Sequence, residues 1–511
     1  MPTVTAPAAM EVEPARSTGG RATQWAQWGP WGWTATIVVL ALVGLGLRLW
    51  FMTGNRGYLD SDEAITALTA RWLVHGDVRT FFFGQSYGGT LVVLPVALSE
   101  AVFGVNRLGV YTPFLVLDVV VSVLVWRVGT RFLSSAGAVF AGLASWVWPA
   151  IFVFYGTRAQ MFYVSGLVLG LAMLLCTQRA VDDRSRYADW ALAGCFAGLG
   201  WWQSPNILYF LVPTLVWLVV AAKLMPALPR ALVAVPAAVV GALPWIVYGL
   251  AHRFPAFPHT SGVHGSYVDH LRFFGRYALP TALGLRAPYR ADWVPDLGHA
   301  LVYGAVAVAL VAAIVVGIRR NRAWGSIALL AFPFLFALVP FASNLAFGKY
   351  YGGFRYLFSL SVILPLAIAV LVRRRAVAVA VLALMLASTA YGTYRITDYG
   401  DEGGGFGGAP PVESLQRRLE AEGLTAVRAP FWVAWRLVFE SGEEIVAIPS
   451  DFGAKYGPYQ RAVFAADPSA WVFYADGGAD AFARDQRAAG AVVRKERVGA
   501  YVLVVVDQPN G

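Results

Sequence analysis

The chain has little cysteine, little lysine and little charge. Cysteine occurs twice, at Cys176 and Cys195, both inside apolar stretches. That leaves neither a disulfide framework nor a cysteine-based zinc site. Charged residues make up only 14% of the 511 residues, against 58% hydrophobic, where an average soluble domain carries about 25% charged. This excludes a disordered chain and argues against a single soluble globule. Lysine stands only at positions 223, 349, 455 and 495, so the formal net charge of +10 is almost all arginine. We read that bias as genome base composition. The arginines sit in short clusters between apolar stretches rather than on one face, which is the pattern of membrane topology signals and not of a nucleic-acid surface. Aromatic residues are plentiful, with 19 Trp, 22 Tyr and 31 Phe, a load that suits many membrane interfaces.

Residues 1–33 are Pro/Ala/Gly-rich without apolar period and read as a disordered tail. They lack the short basic start of a signal peptide, so the first apolar segment is expected to remain as an anchor. Crossing the hydrocarbon core takes about 20 apolar residues. Eleven candidate spans follow, at 34–53, 110–127, 135–154, 160–177, 188–202, 206–222, 231–249, 300–318, 324–342, 355–372 and 376–393. A further apolar stretch, 90–104, is short and holds Pro95 and Glu100. If it does not cross, the clusters Arg127/Arg131, Arg179/Arg184/Arg186, Lys223/Arg230, Arg319/Arg320/Arg322 and Arg373/Arg374/Arg375 all fall on one side with the N-terminus. If it crosses, all of them lie outside. The positive-inside rule chooses the first arrangement, with 90–104 lying along the outer interface. The expected protein is therefore a polytopic α-helical membrane protein of the cytoplasmic membrane, with its N-terminus cytoplasmic and its C-terminus extracytoplasmic. The membrane domain spans 34–394 and its first outer loop 54–108. A Gly-rich linker, 395–411, leads to residues 412–511, where helical patterning at 412–421, 431–439 and 479–489 and strand-like runs at 444–449, 470–475, 491–494 and 499–506 predict a small α/β domain with its own core.

The first outer loop carries Asp60-Ser61-Asp62-Glu63, followed by Ala64, Ile65, Leu68, Trp72 and Leu73 at helical spacing. Asp60 and Glu63 have the spacing of a capping box, and acids favour a helix N-terminus. Capping by Asp60 is compatible with a second role in which Asp62 faces a cavity as a base. Asp60-Ser61-Asp62 also spells an Asp-x-Asp, which in some sugar transferases holds a divalent cation. Two acids supply few of the oxygens a hard cation needs, so no cofactor is assigned and a divalent cation stays open. Five of the six histidines, at 252, 259, 264, 270 and 299, lie in or beside the 251–299 loop and match no zinc spacing. Trp201-Trp202-Gln203 ends a span on the outer side, as an aromatic belt or as a wall against which a sugar or lipid stacks.

The run Asp62-Glu63-Ala64, then Ala70-Arg71-Trp72-Leu73-Val74-His75-Gly76-Asp77, resembles the Asp-Glu motif in the first outer loop of the C-type membrane glycosyltransferases (GT-C). It is nearest to the protein O-mannosyltransferase and aminoarabinose transferase group, family 39. Phe103-Gly104-Val105-Asn106-Arg107-Leu108 is similar to that group's segment after its juxtamembrane helix, and Arg355-Tyr356 opens a late span, where the group often has Arg-Tyr. The eleven-span layout with the N-terminus inside is also the mannosyltransferase layout. The group's His-Pro-Pro or Lys-Pro-Pro motif is absent, and Gly84-Gln85-Ser86-Tyr87-Gly88-Gly89 stands in its place. The sugar and acceptor of the known members are therefore not carried over. The resemblance implies transfer of a sugar from a polyprenyl-phosphate donor to an acceptor hydroxyl on a glycan, lipid or protein. Asp62 would be the general base, with Asp60 and Glu63 beside it. Arg355, Lys349 and Arg158 are outer-end cations suited to the donor phosphate, and Gln85, Tyr87, Trp202, Gln203 and Tyr356 are candidate substrate-lining residues. The competing class is a polytopic transporter or lipid flippase. The near absence of acids and bases from mid-span, Asp118 apart, speaks against it, as does the lack of an internal repeat. A non-catalytic scaffold would have no use for Asp62 or Arg355.

Overall fold

The computed structural model describes residues 30–254 apart from 86, 184–185 and 221–223, most of 266–288, a few positions within 304–315, residues 357–399 apart from 373, and residues 410–451 and 456–507. Two of the eleven candidate spans, 300–318 and 324–342, lie wholly or largely outside the described residues, as do Lys349, Arg355 and Tyr356.

Helix α1 (Pro30–Met52) opens the bundle, and the first loop carries α2 (Ser61–Val74) and α3 (Val93–Phe103). There follow α4 (Arg107–Gly129), α5 (Ser135–Val147), α6 (Ala150–Thr157), α7 (Tyr163–Asp182), α8 (Tyr187–Gln203) and α9 (Leu208–Val220), then the shorter α10 (Leu224–Ala231), α11 (Ala234–Gly241) and α12 (Leu243–Ala251). Helices α13 (Leu360–Ala369) and α14 (Arg375–Tyr399) complete the described bundle. Among the described residues four helices are long and apolar enough to cross a bilayer, or six if two bent pairs each count as one span. One bent pair is α5 and α6, read from sequence as the single span 135–154. It turns by 70° at Trp148-Pro149, because proline lacks the N–H that would continue the helix. The candidate span 231–249 likewise breaks, with a 56° bend before α12.

The stretch 90–104 forms an 11-residue helix, about 16 Å long at 1.5 Å per residue and too short for a hydrocarbon core of about 30 Å. Leu94, Leu98 and Val102 make an exposed apolar stripe four residues apart, while Glu100 on the other face is buried. Helix α4 exposes Val116, Val119, Val120, Val123 and Trp126 along one side, the surface of a helix that meets lipid. On its inner side Asp118 receives the Nε of Arg48 from α1 at 2.8 Å, and the same guanidinium donates to the Trp146 carbonyl at 2.7 Å and lies 3.5 Å from the Trp146 ring. The mid-span acid is thus paired with a mid-span arginine that hydropathy alone hides.

The C-terminal part is an α/β unit, in order α15 (Glu413–Ala421), β1 (Ala426–Ala429), α16 (Phe431–Glu440), β2 (Val446–Pro449), α17 (Gly457–Ala465), β3 (Ser469–Tyr474), α18 (Ala479–Ala488), β4 (Val492–Val498) and β5 (Tyr501–Asp507). The sheet order is β2-β1-β3-β5-β4, with the first three strands parallel and β5 antiparallel to both its neighbours. Strand β1 and helix α17 are additional to the sequence expectation. Both are short, and β1 (Ala-Val-Arg-Ala) has no strong alternation. One face of the sheet packs a cluster of the unit's own, Ala479, Ala483, Val504 and Val506. On the other side Val427, Trp435, Leu437 and Tyr501 belong to the same buried cluster as Ile65, Leu68, Trp72 and Phe83 of the first loop. The C-terminal unit and the first loop thus share a core on that side.

Candidate active site at the start of helix α2

Helix α2 begins where the sequence places it, and for the expected local reason. Asp60 is the N-cap, its Oδ1 accepting the Glu63 N–H at 2.8 Å, and Glu63 Oε2 accepts the Asp60 N–H at 2.7 Å. This reciprocal box satisfies two of the N–H groups a helix start leaves open.

Glu63 does more than cap. It is fully buried, and its carboxylate also accepts the guanidinium of Arg158, the Ala159 N–H at 2.8 Å and the Tyr111 hydroxyl at 3.4 Å. Arg158, 1% exposed, donates as well to the carbonyls of Tyr58 at 2.6 Å and Arg56 at 3.1 Å. Burial pushes the Glu63 carboxyl up to about 8, opposed by Arg158. Burial, the largest single influence, pulls Arg158 down, but Glu63, Tyr111 and Asp60 together outweigh it and hold the guanidinium above its ordinary value. The two shifts act in opposite senses on the pair. Four donors converging on one carboxylate favour the charged form, so the pair is an ion pair.

Two sequence expectations are corrected by this geometry. Glu63 is not open to a substrate, because its oxygens are spent on four protein donors. Arg158 is not an outward cation for a donor phosphate, because its guanidinium is turned inward and fully engaged. The cation reading of Asp60-Ser61-Asp62 does not fit either. Asp60 Oδ1 serves the cap and Oδ2 accepts from Gln160 Nε2 at 3.4 Å, and no group of three or more potential metal ligands occurs among the described residues. Asp62 is not one of the two capping-box residues. It lies at the second helical position, half-buried, with its carbonyl accepting the Thr66 hydroxyl at 3.0 Å.

Residues 158–163 are the hub of the site. Arg158 and Ala159 hold Glu63, the Ala159 carbonyl accepts the Thr66 hydroxyl at 3.3 Å, and Gln160 reaches Asp60. Met161 accepts from Gln203 Nε2 at 2.8 Å, and the Phe162 ring meets Phe82 with centroids 6.0 Å apart. Gln203 is fully buried; its Oε1 accepts the Leu91 N–H at 3.2 Å and its carbonyl the Gly89 N–H at 2.9 Å. Trp202 donates its indole N–H to the Thr80 carbonyl at 2.9 Å. The expected lining residues Trp202 and Gln203 thus clamp the 80–91 loop to the end of α8. Gly89 permits that clamp, since a Cβ there would come within 2.8 Å of the Trp202 carbonyl oxygen. Tyr87, 45% exposed, stays at the surface of this loop, and Gln85 is half-buried beside it. Sequence reading missed Gln160, Tyr111 and Arg48; Arg48 is an isolated charge in an apolar run, the signal that could have found it, whereas Gln160 and Tyr111 stand beside other polar residues and carry no such signal.

The C-terminal unit covers the other side of α2. The Ser61 hydroxyl, next to Asp62, donates to the Phe431 carbonyl at 2.5 Å. Trp72 stacks on Tyr456 at 4.4 Å and donates to Glu443 at 3.3 Å, and Phe83 packs edge-on against Trp435 at 5.0 Å. Arg107 bridges to Glu440 at 3.1 Å and Glu413 at 3.7 Å.

With this geometry in hand, the chain can be compared with known proteins. Residues 91–248, from α3 to α12, match the family described as dolichyl-phosphate-mannose-protein mannosyltransferase. No curated protein sequence matches the chain. Among solved structures, ArnT from Cupriavidus metallidurans in the apo state superposes with a TM-score of 0.61 at 15% identity, covering 93% of this chain and 98% of its own. The same protein bound to undecaprenyl phosphate gives 0.50 at 14% identity, with the same coverage. The oligosaccharyltransferase of Archaeoglobus fulgidus gives 0.48 at 13% identity, covering 83% of this chain and 65% of that one. None of these similarities supports a transporter. The matched segment and the ArnT-like fold bear out the resemblance read from the sequence, and the chain carries the fold of a C-type membrane glycosyltransferase and resembles the mannosyltransferase and aminoarabinose transferase group.

Proposed function

We propose that this glycosyltransferase takes a sugar from a polyprenyl-phosphate donor and transfers it to an acceptor hydroxyl at the outer face of the cytoplasmic membrane, with Asp62 as general base. The observation that carries this reading is the division of labour at the start of α2. Asp60 and Glu63 are committed to the capping box and, for Glu63, to Arg158, which holds the helix start rigid, while the half-buried Asp62 takes no part in that box. The acceptor oxygen attacks the anomeric carbon as the bond from that carbon to the phosphate oxygen breaks. The hydroxyl proton passes to the Asp62 carboxylate, and the polyprenyl phosphate leaves with the bonding electrons. The undecaprenyl phosphate of the ArnT complex supports a donor of this class. Arg355 and Lys349 remain the proposed phosphate cations, because a leaving phosphate needs positive charge at the membrane surface, and Tyr356, Tyr87 and Gln85 the proposed lining residues. An N-terminus inside, a C-terminus outside and eleven spans are part of the same proposal, supported by the short α3 with its exposed apolar stripe.

The test is turnover by the purified protein against a panel of polyprenyl-phosphate sugars. At least one donor should release its sugar, and Asp62→Asn should lower that turnover by roughly 10²-fold with donor affinity little changed. Equal loss in Asp60→Asn with full activity in Asp62→Asn would displace the base by two residues.

A further inference from the structure

At the far end of α4, α7 and α8 from Asp62 lies a pocket of about 550 Å³. Four arginines from three segments line it: Arg127 and Arg131 at the end of α4 and just after it, Arg179 in the last turn of α7, and Arg186 before α8. We propose that this pocket binds the phosphate of an anionic phospholipid in the leaflet opposite the active site. The inference rests on the chain being membrane-embedded and is independent of the sugar donor.

Some of the positive charge is already matched. Arg131 meets Asp182 at 3.4 Å, and Arg179 and Arg186 share the buried Asp189 at 3.3 Å and 3.0 Å, with Asp183 also at 3.3 Å from Arg186. Arg127 has no carboxylate partner among the described residues, and Thr130 beside it also lines the wall, its hydroxyl donating to the Arg127 carbonyl at 2.7 Å. With Asp189 behind the wall counted, four arginines face three aspartates, and the excess of one positive charge falls on Arg127. An arginine fork suits a phosphate's paired oxygens. The occupant is identified as a lipid rather than a free anion by what borders the pocket. Trp126, next to Arg127, and Val123, Val120, Val119 and Val116 form a continuous exposed apolar face on α4 that ends at the pocket. A tryptophan at that depth is a headgroup-level anchor. A molecule with its phosphate on Arg127 would lay its acyl chains along that face, and basic pockets between spanning helices take phospholipid headgroups by this chemistry.

The experiment uses the full-length protein in detergent and measures saturable binding of short-chain phosphatidylglycerol by native mass spectrometry, beside phosphatidylcholine of equal chain length and inorganic phosphate. Phosphatidylglycerol should bind well above both controls. Arg127→Gln should weaken it about five-fold, the weight of one arginine near an anionic surface. Asp182→Asn, which releases Arg131 and removes a repelling charge, should tighten it by a similar factor, a gain that misfolding cannot mimic. Equal retention of the two lipids, phosphate competing as well as the lipid, or Arg127→Gln binding like the wild type would each overturn the proposal. A failed sugar-transfer assay would leave all these readings standing.

Discussion

The carboxylates at 60, 62 and 63 differ in role because their surroundings differ. Removing the guanidinium by Arg158→Ala strands the Glu63 carboxylate in a buried site, so it should cost about 3–5 kcal/mol, seen as a lower melting temperature in detergent. Exchanging both partners for apolar residues should cost less than either single change, because no charge is then left alone. Glu100 offers a pH-dependent counterpart. Its carboxyl is buried on α3, with Oε1 lacking a hydrogen-bond partner among the described residues, and burial pushes its pKa up to about 8 against the opposing pull of Arg71. A carboxyl raised in the folded state contributes stability that is complete at acid pH and is lost as pH rises through that value. Melting temperature should therefore fall as pH rises from about 4.5 to about 8 and level off above that, and Glu100→Gln should flatten the fall; an unchanged slope in the variant would assign the loss elsewhere. The Asp60–Glu63 box was legible in the sequence because its partners are three positions apart. The Glu63–Arg158 pair spans 95 positions, and no local pattern distinguishes an arginine that snorkels from one that turns inward.

At the scale of elements, long apolar helices were legible from hydropathy, since length and composition alone decide them. Breaks inside them were not. Trp148-Pro149 keeps the hydropathy of a span while removing a helix N–H, and the resulting 70° turn aims α6 at the site, so that Arg158 follows directly after its last residue. For α3 the expectation that it does not cross came from its shortness, from Pro95 and Glu100 within it and from the charge balance of distant loops. The docking of α16 and α17 on α2 was invisible, because Trp72 and Tyr456 are ordinary apolar positions of their own elements. Trp72→Ala removes a stacked ring and the indole bond to Glu443. It should cost about 3–5 kcal/mol and speed hydrogen exchange in both α2 and α17. Faster exchange in α2 alone would show that the two segments are not mechanically joined.

For the whole molecule, the bundle ends in two chemically different faces. One carries the α2 start and the C-terminal sheet; the other carries the arginine pocket. Impermeant thiol labelling from outside should reach single cysteines at Asn106 and Gly478 but not at Thr130; labelling of Thr130 alone would invert the proposed topology, and labelling of Asn106 together with Thr130 would show that α4 does not cross. The shared core has a consequence for biogenesis. Ile65 and Leu68 leave the ribosome more than 350 residues ahead of Trp435 and Tyr501, with which they pack. Until the last hundred residues have joined it, the helix bearing Asp62 lacks the partners that cover one of its sides. A chain stopped at Tyr399 should therefore expose α2, seen as faster protease cleavage there than in the full-length protein.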